Sequence, residues 1–303
     1  MNDLPIDIER DIIYGSGCIH FGTAPVARPL YLDRYAPAEP PTTPRPVLVM
    51  AFGGAFHRGN RRDDEFGDSP QRNTPVSAYC EMAARRGWVA CSIDYRLVPE
   101  DPDPGNTPVI GSPEHVPMSR VALVRRWLGL APTDAATICR GIEAATDDMV
   151  QAFRFLQDQA QAWSINPDCI VIGGFSAGAR IALGAAYGER LPAAGVVALS
   201  GYLADDDLRR GVTGTPGEPP ALLVHGDDDL DYIVRQAPAM DRRFAQAGRG
   251  SECWKVPGAG HFYPAQSPAR RSDGHEATVD QAVSSFLARL ATDAASRKHT
   301  DYA

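Results

Sequence analysis

The chain has 303 residues, 44% of them hydrophobic and 22% charged, which suits one large α/β domain with a sizeable buried core. Its formal net charge is -8, so a nucleic-acid partner is not expected. No apolar run approaches the length of a membrane span, and the acidic N-terminus lacks the basic and apolar regions of a secretion signal. The expected partner is therefore a small molecule, with no nucleic acid and no membrane, and a homodimer is left open.

Six cysteines are scattered along the chain without any C-x-x-C pair. Cys91 and Cys169 fall inside predicted buried strands, which is typical of reduced thiols in the core of a cytoplasmic protein. No cluster of cysteine and histidine has the spacing of metal ligands. We therefore expect a cytoplasmic protein without a metal site.

Apolar strands alternate with helices along most of the chain. The opening differs, because 11–20 and 29–35 are predicted as two strands that form an antiparallel edge. Further strands are predicted at 47–52, 88–94, 169–174, 195–199, 221–225 and 252–256. Helices are predicted at 74–86, 143–162, 233–247 and 276–292, with another directly after residue 176. This alternation predicts an α/β fold, with a mostly parallel eight-stranded sheet and helices on both faces.

One long excursion, at 97–141, interrupts the alternation. Its first part is rich in proline, and its second part holds a helix-like piece at 121–128. Loops of this length in compact domains are usually lids, binding loops or disordered segments. Because Trp127 and Leu128 indicate a packed element, we expect a lid-like insertion within a single domain spanning 1–303. The alternative is a surface insertion that never contacts a substrate.

The most informative motif is G-x-S-x-G at 174–178, with Ser176 at its centre. A predicted buried strand precedes it and a helix rich in small residues follows it. A sharp turn between such a strand and helix exposes a serine hydroxyl for attack on a carbonyl. The alternative is an ordinary glycine-rich turn.

A serine nucleophile needs a base to take its proton and an acid to orient that base. After the strand at 221–225 come four aspartates, of which Asp229 is the predicted acid and Asp231 the second choice. After the strand at 252–256 comes His261, flanked by glycine, which is the predicted base. This chain order of serine, acid and histidine is the one found in hydrolases with a strand–serine–helix turn.

The tetrahedral intermediate of acyl transfer needs N–H donors for its oxyanion. The glycine-rich turn after the strand at 47–52 contains Gly53, Gly54 and Ala55, which can supply backbone amides together with Ala177. The alternative is a tight turn without a catalytic role. Phe56, Phe175 and Trp127 are the predicted substrate-binding residues.

These motifs together resemble the α/β-hydrolase fold and, more narrowly, the hormone-sensitive-lipase-like carboxylesterases. The stretch 52–56 is similar to the H-G-G-G-[FW] oxyanion loop of that group, although Phe52 and Ala55 depart from it. The stretch 94–100 reads D-Y-R-L-V-P-E and is similar to a D-Y-R-L-A-P-E segment of the same group. The G-x-S-x-G motif has Phe175 before the serine, where that group has aspartate. The resemblance implies a serine esterase with no metal and no organic cofactor.

The sequence therefore predicts a carboxylic-ester hydrolase that works through an acyl-enzyme. An amide or peptide hydrolase of the same fold is one alternative, and a non-catalytic ligand-binding member is another. Two charged groups near the site are expected to be structural. Asp94 and Arg96 are predicted to tie a strand end to neighbouring loops by an ion pair, and Arg58, Arg61 and Arg62 to lie on a solvated loop of mixed charge.

Overall fold

A ten-stranded sheet forms the centre of the molecule in the order β1-β2-β4-β3-β5-β6-β7-β8-β9-β10. The computed structural model describes residues 3–63, 72–105, 108–248 and 250–300. In chain order the strands are β1 (Ile6–Ile19), β2 (Val26–Pro37), β3 (Arg45–Ala51), β4 (Val89–Ile93), β5 (Ile165–Phe175), β6 (Gly195–Leu199), β7 (Ala221–Gly226), β8 (Glu252–Val256), β9 (Pro268–Arg271) and β10 (Glu276–Thr278). The six strands from β4 to β8 in this order run parallel, and antiparallel strands extend the sheet on both sides.

Seven α-helices accompany the sheet within the described residues. They are α1 (Val76–Arg85), α2 (Met118–Trp127), α3 (Ala135–Asp158), α4 (Ala177–Leu183), α5 (Asp205–Gly211), α6 (Asp231–Ala247) and α7 (Val279–Thr300). The chain steps from β3 to β4 in one direction along the sheet and from β4 to β5 in the other. Since such crossovers are right-handed, α1 and α3 lie on opposite faces. The parallel strands are buried, as expected for a sheet covered on both sides.

All eight predicted strands occur, and the fold class is confirmed. The strands β9 and β10 were not predicted, because they are only four and three residues long and mostly polar. Helix α3 begins eight residues earlier than the predicted 143, so the last seven residues of the predicted insertion at 97–141 belong to it. Asp134 starts α3 by accepting a hydrogen bond from the Thr137 N–H at 2.7 Å.

The rest of the predicted insertion contains two short 3-10 turns and α2. The turns are Val98–Glu100 and Pro113–His115, while residues 106 and 107 lie outside the described part. Val121 and Val124 of α2 are buried, but Trp127 and Leu128 are 45% and 40% exposed. The segment is therefore a packed element whose last turn projects into solvent.

The cysteines and the hydropathy of the helices can also be compared with the sequence predictions. All six cysteines are unpaired, and Cys80, Cys91, Cys139 and Cys169 are buried. Among the described helices, none combines the length and the apolar character needed to cross a bilayer.

Candidate active site

The candidate site lies where the strand order reverses. The strands β3 and β5 are neighbours, and the chain leaves them toward opposite sides of the sheet. Ligands of open α/β sheets bind at such a reversal, outside the carboxyl ends of the strands. The turn after β3 carries the glycine-rich stretch, and the turn after β5 carries Ser176. The topology thus brings together two motifs that are about 120 residues apart in the chain.

Ser176 has the backbone conformation of a strained turn, with φ 53° and ψ -110°. Its N–H donates to the Leu199 carbonyl at 2.7 Å, and its own carbonyl accepts from Arg180 N–H in the first turn of α4. A side chain at Gly178 would place its Cβ 1.9 Å from the Ala51 oxygen. Only glycine therefore fits there, because helix α4 passes directly against β3. This arrangement lifts the Ser176 hydroxyl out of the turn.

His261 connects the serine to the acid. Its Nε2 lies 2.8 Å from Ser176 Oγ, and its Nδ1 lies 2.6 Å from Asp229 Oδ1. The other two histidines near the site are engaged elsewhere. His57 Nδ1 donates to the Ala55 carbonyl at 2.7 Å while its Nε2 accepts from Arg125, and His225 Nδ1 donates to the Gly226 carbonyl at 3.0 Å.

Asp229 is the buried aspartate of its loop, whereas Asp227, Asp228 and Asp231 are exposed. Its Oδ1 also accepts from the Leu230 N–H at 2.7 Å, and its Oδ2 accepts from the Ser200 hydroxyl at 2.7 Å. Burial alone would raise the pKa of Asp229, but its bonds to His261 and Ser200 hold that pKa below its ordinary value. The carboxylate is therefore kept ionised beside the imidazole.

Ser200 was not singled out from the sequence. It follows β6, is 1% exposed, and has a positive φ of 51°. Its oxygen also lies 3.1 Å from the Tyr263 hydroxyl, which donates to the Val224 carbonyl. The only signal in the sequence is a serine at the end of a predicted strand, which is too common to indicate a bond to the acid.

The glycine-rich turn lies beside the serine. Gly54, Ala55 and Phe56 all have positive φ, at 120°, 55° and 62°, and the first of these values strongly favours glycine. Ala55 and Phe56 line the same pocket as Ser176 and Ala177. Gly53 and Gly54 directly precede these two pocket residues in the turn after β3. Ala177 begins α4, where backbone N–H groups have no acceptor within the helix.

The pocket at Ser176 is small and mainly apolar. Its cavity volume is about 50 Å³, room for on the order of four water molecules. Its apolar wall comes from the turn after β3, the segment before and within α2, and helices α3, α4 and α6. The apolar lining residues are Ala55, Phe56, Val116, Pro117, Val121, Ile138, Ile142, Ala177 and Ile233. Arg120, Arg180, Ser200, Tyr202 and Tyr232 complete the lining.

Of the three predicted substrate-binding residues, Phe56 lines this pocket. Phe175 does not line the pocket. It is 2% exposed, and its ring packs 5.3 Å from the His261 ring, so it supports the imidazole. Trp127 does not line it either, because the first turn of α2 faces the pocket and Trp127 lies in the last. Its indole packs against the guanidinium groups of Arg58 and Arg120, at 5.4 and 5.3 Å.

A larger cavity, of about 460 Å³, lies between α6 and strands β7 and β8. It shares only Ile233 with the lining of the Ser176 pocket. Its one thiol, Cys253, has its pKa raised by burial and by the neighbouring Asp241, so it stays protonated and is a poor nucleophile. The smaller pocket is therefore the better candidate for chemistry.

The charged residues near the strand ends are structural, but two differ from expectation. Asp94 forms an ion pair with Arg61 of a neighbouring loop at 2.5 Å, as predicted, whereas Arg96 pairs with Asp148 of helix α3 at 2.8 Å instead of with a loop. Arg61 is not solvated as predicted. It is 7% exposed and also binds Asp33 of β2 at 2.9 Å. Its charge is neutralised by carboxylates distant in sequence, which the local charge pattern could not reveal.

Within the ranges that the structure covers, no three histidine, cysteine, aspartate or glutamate side chains group as ligands for an ion. The chemistry available at the site is that of a hydroxyl, an imidazole and a carboxylate joined by hydrogen bonds.

The sheet topology and the serine turn define an α/β-hydrolase fold. The phospholipase/carboxylesterase family matches residues 111–267, just over half of the chain, and this chain belongs to that family. The matched region contains Ser176, Asp229 and His261. Among curated proteins, none matches the sequence.

Solved structures of esterases share the fold. Thermogutta terrifontis esterase 2 phosphoramylated by tabun has a TM-score of 0.55 at 19% identity, covering 84% of each chain. The propionate-bound form of the same esterase has a TM-score of 0.53 at 20% identity, again over 84% of each chain. MGS-M1, an α/β hydrolase from a Medee basin deep-sea metagenome library, has a TM-score of 0.51 at 16% identity, covering 84% of this chain and 83% of its own. At these identities the likeness is one of fold alone.

Proposed function

We propose that this protein is a serine hydrolase of carboxylic esters, with Ser176 as nucleophile, His261 as base and Asp229 as acid. The observation that carries the proposal is the continuous series of hydrogen bonds from Ser176 Oγ through both ring nitrogens of His261 to buried Asp229. The family and the shared fold of known esterases support the same activity.

The proposed reaction has two steps. As Ser176 Oγ attacks the ester carbonyl, His261 takes its proton, and Asp229 stabilises the imidazolium that forms. Backbone amides from the turn at Gly53, Gly54 and Ala55, together with Ala177, hold the oxyanion. His261 then gives its proton to the leaving alcohol. Water enters, is deprotonated by His261, and releases the acid from Ser176 by the same route in reverse.

The volume and lining of the pocket favour esters with a short apolar acyl or alcohol group near the serine. The narrower relation to hormone-sensitive-lipase-like carboxylesterases is supported by the stretches 52–56 and 94–100. A cytoplasmic location is supported by the six free thiols, because reducing compartments keep cysteines unpaired.

Replacement of the nucleophile tests the proposal. Ser176→Ala is expected to fold normally and to lose roughly 10³-fold or more in turnover of para-nitrophenyl acetate, since only binding and oxyanion stabilisation remain. It should also lose labelling by a fluorophosphonate probe. Ser285→Ala, at an exposed serine of α7, is the matched control and should keep both.

The outcomes separate the alternatives. Near-normal ester turnover in Ser176→Ala would overturn the proposed mechanism. Labelling of Ser176 in the native protein without turnover of any ester, but with cleavage of anilides, would indicate an amide hydrolase. Absence of both labelling and turnover would indicate a non-catalytic binding protein.

A further inference from the structure

The polar side chains that line the candidate pocket differ in whether the protein already satisfies them. The Tyr202 hydroxyl donates to the His115 carbonyl at 3.1 Å. Arg180 donates to Asp207 Oδ2 at 2.5 Å, so its charge is neutralised. The Tyr232 hydroxyl is different, because within the part of the chain that the structure describes no group forms a hydrogen bond with it. It therefore remains available to a ligand.

Tyr232 lies in the first turn of α6, and its ring packs against a neighbour in the pocket wall. Its ring centroid lies 5.0 Å from that of Tyr202, with 58° between the two planes. Tyr232 lines the pocket at Ser176 but not the larger cavity between α6 and strands β7 and β8. A group bound beside Ser176, in a cavity of only about 50 Å³, therefore also lies beside Tyr232.

The Tyr232 hydroxyl is a neutral donor in surroundings that are poor in water. Burial, the neighbouring Tyr202 and the charge of Asp229 raise its pKa well above the ordinary value of 10, although Arg120 opposes the rise. The hydroxyl therefore keeps its proton at neutral pH. Its oxygen is not one of the polar atoms that the described residues enclose without a partner, so a ligand can reach it.

We infer that Tyr232 determines specificity by donating a hydrogen bond to an ether or hydroxyl oxygen carried by the substrate group that occupies this pocket. The inference rests on the proposed ester hydrolysis and names its substrate class, which is short-chain esters with an oxygen in the chain. An all-carbon chain would displace water from the hydroxyl and leave a buried donor unpaired, whereas a chain with an oxygen pairs it. The remaining wall at Phe56, Val121 and Ile138 suits the carbon atoms of the same chain.

Two pairs of esters of equal chain length test this inference on the native protein. On the acyl side, para-nitrophenyl methoxyacetate is compared with para-nitrophenyl butyrate. On the alcohol side, methoxyethyl acetate is compared with butyl acetate. Each ratio of kcat/KM is divided by the ratio of hydroxide-catalysed rates for the same pair, because an ether oxygen alone makes an ester more reactive. We expect at least one corrected ratio to favour the oxygen-bearing ester by about three- to tenfold, the effect of one hydrogen bond between uncharged groups.

Two variants with the same chemical change assign the preference to one hydroxyl. Tyr232→Phe should remove it through a higher KM for the oxygen-bearing ester, because the bond is made in the bound substrate and in the transition state alike. Tyr202→Phe is the matched control on the same wall and should keep the native preference, because its hydroxyl is already bound to the His115 carbonyl. A small neutral fluorophosphonate should label Ser176 in both variants. An equal loss of kcat for both members of a pair in Tyr232→Phe would place the hydroxyl at the ester group itself and overturn the inference.

Thermal melts provide a readout that does not depend on ester turnover. Tyr232→Phe breaks no hydrogen bond among the described residues, so its melting temperature should stay at or above the native value. Tyr202→Phe loses the bond to His115 and should melt lower. A drop in Tyr232→Phe as large as that in Tyr202→Phe would mean that the protein itself satisfies the Tyr232 hydroxyl, which contradicts the inference.

The kinetic outcomes separate this inference from the proposed function. A native corrected ratio near unity in both ester pairs, or a preference that remains in Tyr232→Phe, overturns the inference and leaves the esterase proposal intact. Absence of all ester turnover in the native protein would instead overturn the proposed function, and the substrate class would fall with it.

Discussion

Burial separates the four aspartates of the loop after β7. Asp227, Asp228 and Asp231 are exposed, whereas Asp229 is 6% exposed and bonded to His261. An exposed carboxylate exchanges its bonds with water and orients a base poorly, because water screens its charge. Asp229 is therefore the residue on which the orientation of His261 depends.

Asp229→Asn is expected to lower kcat by up to about 10⁴-fold, because an amide in this position stabilises the wrong tautomer of the imidazole. Asp227→Asn and Asp228→Asn, with the same chemical change at exposed positions, should stay within a few-fold of the native rate. Steady-state kinetics with a short-chain ester measures all three. A crippled Asp231→Asn beside an active Asp229→Asn would assign the acid to the start of α6 instead.

Ser200 is expected to act as a positioning residue for that acid. A hydrogen bond to a charged group contributes about 1.5–3 kcal/mol, so Ser200→Ala should lower kcat by roughly ten- to a hundredfold. Since the bond lowers the pKa of Asp229 in the folded state, its contribution to stability is present above the ordinary value of 3.8 and is lost as pH falls below it. The free energy of unfolding of Ser200→Ala should therefore be lower than that of the native protein at pH 7, and the two values should converge in acid, below the ordinary pKa of the carboxyl group.

Denaturant titrations of Ser200→Ala and of the native protein, at pH 7 and in acid, measure this difference. Tyr263→Phe is the matched control, because it removes a hydroxyl that contacts Ser200 but not Asp229. A stability deficit in Ser200→Ala that is equal at both pH values would assign it to packing rather than to the bond with Asp229.

At the scale of elements, the strands could be predicted from the sequence, whereas the contact between α2 and the pocket could not. The apolar runs at 47–51 in β3 and 195–199 in β6 are buried on both faces of the sheet, which made these strands easy to predict. The start of α3 was missed because Thr137, Ile138 and Gly141 weaken the helical propensity of its first turns, although Asp134 is a recognisable N-cap residue. Helix α2 was found as a helical piece, but its periodicity could not tell which of its turns meets the pocket. Which turn meets the pocket depends on how the residues before α2 place the helix beside the turn after β3.

Helix α2 is expected to limit the size of the group beside Ser176. Val121 is 3% exposed and lines the pocket, so Val121→Phe should fill much of its volume of about 50 Å³. We expect kcat/KM to fall more for butyrate than for acetate esters, while a small fluorophosphonate still labels Ser176. Overpacking of this kind costs about 1–3 kcal/mol of stability, which a thermal melt measures.

Ala122→Phe is the matched control on the exposed face of the same helix. It should leave the ratio of butyrate to acetate turnover unchanged. An unchanged ratio in Val121→Phe as well would mean that α2 covers the pocket without contacting the substrate, which was the alternative considered for the insertion.

At the scale of the whole molecule, ion pairs join the site to segments that lie outside its sequence motifs. The turn after β3 continues into Arg61, which binds Asp33 in the N-terminal hairpin and Asp94 after β4. The sequence predicted Ser176, Asp229 and His261 because each lies in a local motif at a strand end. It could not predict Arg61, Ser200 or Tyr232, because their contacts depend on the folded arrangement of distant segments.

A partly buried pair of carboxyl groups, Asp147 and Glu189, gives the whole molecule a pH-dependent stability. Glu189, after α4, is half-buried; burial and a hydrogen bond with Asp147 of α3 raise its pKa from 4.5 to about 8. The folded protein therefore keeps a proton that the unfolded chain releases above pH 4.5. A group with a raised pKa in the folded state contributes stability below its unfolded value and loses it as pH rises through the folded one. The native free energy of unfolding should fall between pH 5 and 8.5 on this account.

Glu189→Gln should remove that part of the pH dependence, because the amide donates to Asp147 without needing a proton. Glu218→Gln is the matched control. Burial opposes the shift, but its bonds with Thr213 and Gly214 lower the pKa of Glu218 to about 2, so it stays ionised at both pH values. Its substitution should lower stability equally at pH 5 and 8.5. Denaturant unfolding of the three proteins at the two pH values measures the slopes. A slope in Glu189→Gln equal to the native one would mean that the proton resides elsewhere and that Glu189 is ionised in the folded protein.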